Sequence, residues 1–120
     1  MATPNIISTA TVNAFCVNGA VTTSNQDIVD VAAEYVYKIN NIIIANIDGT
    51  NSATVTAEVS TDNGSTFFAI ASTVAVPADA TLMLIDKNTS FYLDETDQLK
   101  LTASANGDLT YLVSCEMITD

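Results

Sequence analysis

Apolar and polar residues alternate along most of this chain. In residues 53–60 every odd position is apolar and every even position is polar, and the odd positions of residues 99–105 and 109–117 are apolar as well. Successive side chains of a β-strand point to opposite faces, so each segment is predicted to be a strand with one buried face. Residues 35–47 are more apolar and are predicted to form a central strand covered on both sides. Its main apolar face comprises Tyr35, Tyr37, Ile39, Ile43, Ala45 and Ile47.

Short polar turns separate the predicted strands. Asn63-Gly64 and Asn106-Gly107 each lie between two alternating segments. Because both residue types tolerate positive φ, Asn-Gly predicts a hairpin at each place and a positive φ at Gly64 and Gly107. The strands are predicted near residues 11–17, 19–24 or 28–33, 35–47, 53–60, 66–74, 80–85, 90–94, 97–105 and 109–118. This spacing is typical of an all-β sandwich or barrel, here with about eight antiparallel strands.

Residues 24–35 leave an alternative open. Residues 24–27 are Ser-Asn-Gln-Asp, which could cap a short helix that presents Ile28, Val31 and Ala32 on one face. Val29, Val31 and Ala33 fit a strand equally well.

The predicted core follows from the alternation. Large apolar side chains on the inward faces of the predicted strands should be buried. They are Ile39, Ile43, Val55, Val59, Leu99, Leu101, Tyr111 and Val113.

The length of the chain and its charge narrow the possible partners. The 120 residues predict one domain, a β-sandwich over residues 11–120, preceded by an N-terminal arm over residues 1–10. Three lysines and 14 acidic residues give a formal net charge of −11. Three scattered lysines cannot form a basic track for phosphates, so neither a nucleic acid nor an anionic membrane is an expected partner. The first residues also lack the pattern of a secretory signal, so we expect synthesis in a cytoplasm.

Chemistry-bearing residues are sparse, and we expect no enzymatic activity, no cofactor and no metal. The chain has no histidine to serve as a base near neutral pH. Asp94, Glu95 and Asp97 are the best candidates for paired carboxylates, although such a cluster in a loop is usually turn chemistry. The loops at residues 48–51, 62–64 and 94–97 offer oxygen ligands for calcium, but without the spacing of an EF-hand.

The two cysteines, Cys16 and Cys115, are 99 positions apart. In a reducing compartment they are expected to be small apolar core residues. The alternative is a disulfide that joins the first and last strands.

Residues 35–118 resemble a known family. The segments that carry the resemblance are residues 37–51, 53–59, 76–82, 85–88, 91–93 and 99–105, followed by a last strand that contains Ser-Cys-Glu at 114–116. They resemble small structural proteins of tailed bacteriophages, common in marine phages, which are β-sandwiches of roughly jelly-roll type. The resemblance implies a non-enzymatic virion protein and transfers no catalytic residue.

The function that this resemblance favours is a capsid decoration (cement) protein on the outside of the phage head. Its expected partners are the major capsid protein and further copies of itself, with a trimer favoured by closed symmetry. The N-terminal arm, with Pro4, Asn5, Ile6 and Ile7, is the expected capsid contact. A tail, neck or fibre-associated protein of the same fold and a carbohydrate-binding module are the alternatives.

Overall fold

The protein is a sandwich of two antiparallel β-sheets. The computed structural model describes residues 11–119. It contains nine strands, which are β1 (Thr11–Val21), β2 (Gln26–Asp30), β3 (Val36–Asn46), β4 (Ala53–Ser60), β5 (Phe68–Val76), β6 (Thr81–Ile85), β7 (Phe91–Leu93), β8 (Gln98–Ala103) and β9 (Leu109–Thr119). The predicted all-β sandwich is confirmed. Residues 24–35 form no helix, because β2 pairs with β8 instead.

The order of the strands is that of a jelly roll. The larger sheet has the order β1-β9-β3-β6, and β7 also pairs with β3. The smaller sheet has the order β2-β8-β4-β5. β6 pairs with residues 42–45 of β3 and β7 with residues 37–39, so the two short strands form one interrupted edge strand. When β6 and β7 are counted as one strand, the sandwich has eight strands in two four-stranded sheets, as a jelly roll has.

The chain crosses between the sheets at most of its turns. Of the two predicted Asn-Gly hairpins, the one at residues 63–64 joins neighbouring strands, β4 and β5, and is confirmed. The hairpin at residues 106–107 is wrong, because β8 and β9 belong to different sheets and this turn is a crossover. Both glycines have the predicted positive φ, 82° at Gly64 and 86° at Gly107.

The core lies between the sheets and follows the alternation in most strands. In β8 every second residue is buried, and Leu99 and Leu101 have no exposed surface. Of the predicted core residues, these two are buried together with three others, Ile39, Val55 and Val113. Val59 and Tyr111 are only partly buried against the core.

Ile43 is not a core residue, because β3 contains a β-bulge. Ile39 pairs with Cys115 of β9 and Asn41 pairs with Ser114, so Asn40 is an extra residue in β3. An extra residue reverses which positions face the core. Beyond it, Ile42 and Ile44 are fully buried, and Ile43 faces away from the core.

Candidate functional site

The carboxylates that were candidates for catalysis hold two loops in place. A carboxylate oxygen of Asp97 accepts a hydrogen bond from the Asp94 N–H at 2.8 Å, and one of Glu95 accepts the Glu34 N–H at 2.7 Å. The backbone of Val31 also pairs with this loop, with its N–H 3.0 Å from the Asp97 carbonyl oxygen. Asp97 is only 7% exposed, and this burial raises the pKa of its carboxyl, aided by the charge of Asp94. The arrangement joins the segment after β2 to the segment after β7.

The loops considered for calcium are β-turns closed by their own carboxylates. One oxygen of Asp48 accepts the N–H groups of Thr50 and Asn51 at 2.7 and 3.1 Å. These hydrogen bonds lower the pKa of Asp48. Asp62 accepts the Thr66 N–H and the Ser60 hydroxyl, each at 2.8 Å, which lowers its pKa in the same way. Within residues 11–119, no three Asp, Glu, Cys or His side chains are grouped so that they could hold a metal ion.

The two cysteines are on adjacent strands but on opposite faces of the larger sheet. Cys115 pairs with Phe15 and is fully buried in the core, whereas Cys16 pairs with Ser114 and is exposed. Both thiols are free, so the alternative of a disulfide staple is wrong. The expectation that both are core residues holds for Cys115 only. Burial raises the pKa of the Cys115 thiol to about 11.

Two open apolar clefts lie between the sheets. One, of about 340 Å³, lies between the edge strand β5 and the interrupted edge strand β6–β7, and is lined by Val59, Ile70, Ile85, Phe91 and Leu93 among others.

The second cleft, of about 430 Å³, lies at the β1 and β2 edges of the sandwich. Its lining includes Phe15, Val17, Ile28, Tyr37 and Met117.

Several large apolar side chains are exposed, and two of them, Ile70 and Tyr92, belong to the lining of the first cleft. Phe68 of β5 is 73% exposed, and Ile70 of the same strand is 46% exposed. Val12, Met83 and Tyr92 of the larger sheet are each about half exposed, at 53%, 56% and 50%. Single exposed apolar residues are ordinary, but neighbouring ones mark surfaces that other proteins cover.

The predicted contact residues Pro4, Asn5, Ile6 and Ile7 lie outside the described residues. Within the described part of the chain, no helix is long and apolar enough to cross a membrane.

Comparisons with known proteins identify a likeness of fold. No family model and no curated protein matches the sequence. A solved structure described as "Bacillus endospore appendages form a novel family of disulfide-linked pili" matches with a TM-score of 0.54 at 14% identity, over 92% of this chain and 88% of that chain. At this identity the match shows the fold alone.

Two crystal structures of a pentameric capsid protein from metagenomic phage sequences match less well. Their TM-scores are 0.41 and 0.40, each at 14% identity over 84% of this chain. The chain spans 59% and 63% of the length of those two chains.

Proposed function

We propose that this protein is a capsid decoration (cement) protein, which binds the outside of a phage's major capsid shell and stabilises it. The jelly-roll sandwich supports this proposal most, because the fold agrees with what the resemblance of residues 35–118 implied. A fold hosts many functions, so the proposal also needs a surface that could attach to the shell.

The surface that best fits attachment is β5 with its adjoining cleft. β5 is one of the two edge strands of the smaller sheet, and its nine residues carry no charge. An edge strand presents unpaired backbone groups, and natural proteins usually protect such edges with charged side chains or cover them. Phe68 and Ile70 are exposed on this strand, and the apolar cleft lies beside it. We therefore propose that the shell protein covers β5 and the cleft.

The N-terminal arm is proposed as a second contact with the shell. Residues 1–10 have no charged side chain, and they include Ile6 and Ile7 beside Pro4 and Asn5. A segment of this composition could add a strand to a neighbouring sheet edge and bury both isoleucines. Binding of this segment would help to hold the protein on the shell.

Reconstitution on phage heads that lack the protein tests the proposal. Wild-type protein should bind such heads in hundreds of copies and restore their resistance to heat and osmotic shock. Phe68→Lys, and deletion of residues 2–8, should each weaken attachment without lowering the melting temperature. Ile47→Lys is the matched control, because Ile47 is also apolar and exposed, at 63%, but lies outside β5. Failure of the wild-type protein to bind heads would refute the proposal.

A fibre or tail component is the second candidate function. The fold likeness to an appendage subunit over most of both chains favours it. The copy number in purified particles separates the two functions, because a head protein is present in hundreds of copies and a tail or neck protein in a few dozen at most. A glycan array tests the carbohydrate-binding module, from which we expect no signal.

A further inference from the structure

The outer face of the larger sheet carries an apolar row at its centre. Ile42 and Val113 are paired and fully buried, so their chain neighbours Ile43 and Leu112 point away from the core. Ile43 is in register with Leu112 of β9 on one side and with Met83 of β6 on the other. We call Leu112, Ile43 and Met83 the outer row. Met83, at its end, is 56% exposed.

A second apolar group lies at one end of the same face. Val12 of β1 and Val36 of β3 both pair with Ile118 of β9. Val36 and Ile118 are buried, at 5% and 7% exposure, although neither belongs to the core between the sheets. Val12 is 53% exposed.

Small residues occupy much of the face between these two groups. By the same alternation, Ala14 and Cys16 of β1 and Ser114 of β9 point outward. Such positions let a second surface approach β1 and β9 closely, whereas Lys38, Glu116 and Tyr92 are long side chains of the same face. The outer face therefore combines apolar groups, small side chains and one pair of opposite charges.

The charge of the outer face differs from that of the whole chain. On the described strands of this sheet, only Lys38 and Glu116 are charged, and these two residues are in register on neighbouring strands. The outward residues of the smaller sheet include Asp27 and Glu58, both in register with Lys100. Because the chain carries a net charge of −11, two copies repel each other least where they meet at a neutral face.

The charge pattern is also complementary to itself. A two-fold axis presents the same patch from both copies. It can bring Lys38 of one copy to Glu116 of the partner subunit, and the reverse, so the two charges of this face would be neutralised across the contact. Depletion of charge at the centre of a surface is the compositional signal of a protein interface.

The size of the face is sufficient for a specific contact. Four strands about 4.8 Å apart and nine residues at about 3.3 Å each give a footprint of roughly 500 Å² on each copy. The two footprints together are roughly 1,000 Å², the lower limit for a specific interface.

From these observations we propose that a second copy of this chain packs on the outer face, sheet against sheet, about a two-fold axis. The protein is then a dimer in solution, in place of the trimer that closed symmetry alone favoured. This inference does not depend on attachment to a shell, for which the proposed contacts are β5 and the N-terminal arm.

Sedimentation and light scattering of the purified full-length protein test the dimer. Wild type should be dimeric, and Met83→Lys should weaken dimerisation at least about tenfold, because a lysine would be desolvated within the contact, beside Ile43. Phe68→Lys is the matched control, since it adds the same charge at an exposed apolar residue of the other sheet and should stay dimeric. Melting temperatures should confirm that both variants are folded.

The reactivity of Cys16 gives a second readout. Cys115 is buried, so Cys16 is the thiol that an uncharged maleimide should label in the folded protein. Dimerisation should slow the labelling of Cys16 in wild type and in Phe68→Lys, and Met83→Lys should restore fast labelling.

A monomeric or trimeric wild type, or equal labelling rates in all three proteins, would overturn the dimer. If Met83→Lys instead weakened binding to phage heads while wild type stayed monomeric, the shell protein would be the occupant of this face. That result would overturn the dimer and leave the proposed function standing.

Discussion

Replacing Asn46 with leucine should destabilise the protein strongly, because this amide joins the two sheets. Asn46 is the last residue of β3 and is only 4% exposed. Its Nδ2 donates hydrogen bonds to the carbonyl oxygens of Val76, at 2.9 Å, and Asn51, at 3.0 Å. Its Oδ1 accepts the Asp48 N–H at 2.9 Å. Val76 is the last residue of β5, so one side chain connects the larger sheet, the smaller sheet and the loop between β3 and β4.

The expected magnitude follows from the groups that lose a partner. Leucine keeps a similar volume but has no polar atom, so the half-buried Asp48 N–H loses its acceptor, and the Val76 carbonyl keeps only its ladder partner, the Ala53 N–H. An unpaired buried donor costs about 1–3 kcal/mol, and one lost hydrogen bond costs about 0.5–1.5 kcal/mol. Asn51 is exposed, so its carbonyl regains water and contributes less. The total loss should be about 2–4 kcal/mol of unfolding free energy, or roughly 10 °C in melting temperature for a domain of this size.

Urea unfolding followed by circular dichroism measures this loss, and Asn41→Leu is the matched control. Among residues 11–119, the Oδ1 of Asn41 is a buried side-chain oxygen that has no hydrogen-bond partner. Removing it should leave stability unchanged or raise it by about 1 kcal/mol. A loss below about 1 kcal/mol in Asn46→Leu, or equal losses in both variants, would refute the argument. All proteins should be compared at one low concentration, because dimerisation would add to apparent stability.

Three further predictions concern the core, the turns and one buried carboxylate. Leu99→Ala should cost about 2–5 kcal/mol of unfolding free energy, and an unchanged melting temperature would contradict the assigned core face. Gly107→Val should cost about 1–2 kcal/mol through its positive φ alone, since a Cβ there meets nothing within 4 Å; Gly64→Val should cost a similar amount, because the Gln98 amide that its Cβ would meet at 3.0 Å is the end of a flexible side chain, and unchanged stability in both variants would contradict the turn assignment. Burial raises the pKa of Asp97, so the folded state holds this proton more tightly than the unfolded state, and wild type loses stability as the pH rises through that pKa. The stability of Asp97→Asn minus that of wild type should therefore be larger at pH 7 than at pH 3.5. A difference that does not change with pH would show that the pKa of this carboxyl is not raised.

The sequence predicts the strands well wherever one face of the strand is exposed to solvent. In β4 and β8 the apolar and polar positions alternate without interruption, so Val55, Leu99 and Leu101 are correctly assigned to the core. The chemistry of Asn-Gly likewise predicts the conformations of Gly64 and Gly107, because only the local backbone decides them.

The pairing of the strands could not be predicted in the same way. An Asn-Gly turn fixes the local backbone, but it does not decide whether the chain returns along the same sheet or crosses to the other one. At the turn before β5 the chain returns along the same sheet, and at the turn before β9 it crosses to the other sheet. The role of Asn46 was missed for a related reason, because its partners Asn51 and Val76 are brought to it only by the packing of the two sheets.

The error at Ile43 explains why the sequence predicts a strand covered on both sides but not which of its residues form the outer face. Ile42, Ile43 and Ile44 are all apolar, and a run that is apolar on both faces does not indicate which face is buried. The bulge at Asn40 decides which face is buried. It places Ile42 and Ile44 in the core, and Ile43 lies on the outer face in register with Leu112 and Met83. Ile43 alone would be an ordinary apolar residue of an outward face, but its register with Leu112 and Met83 places three such residues side by side on three strands. This group is the physical reason to look for the partner on that side of the molecule.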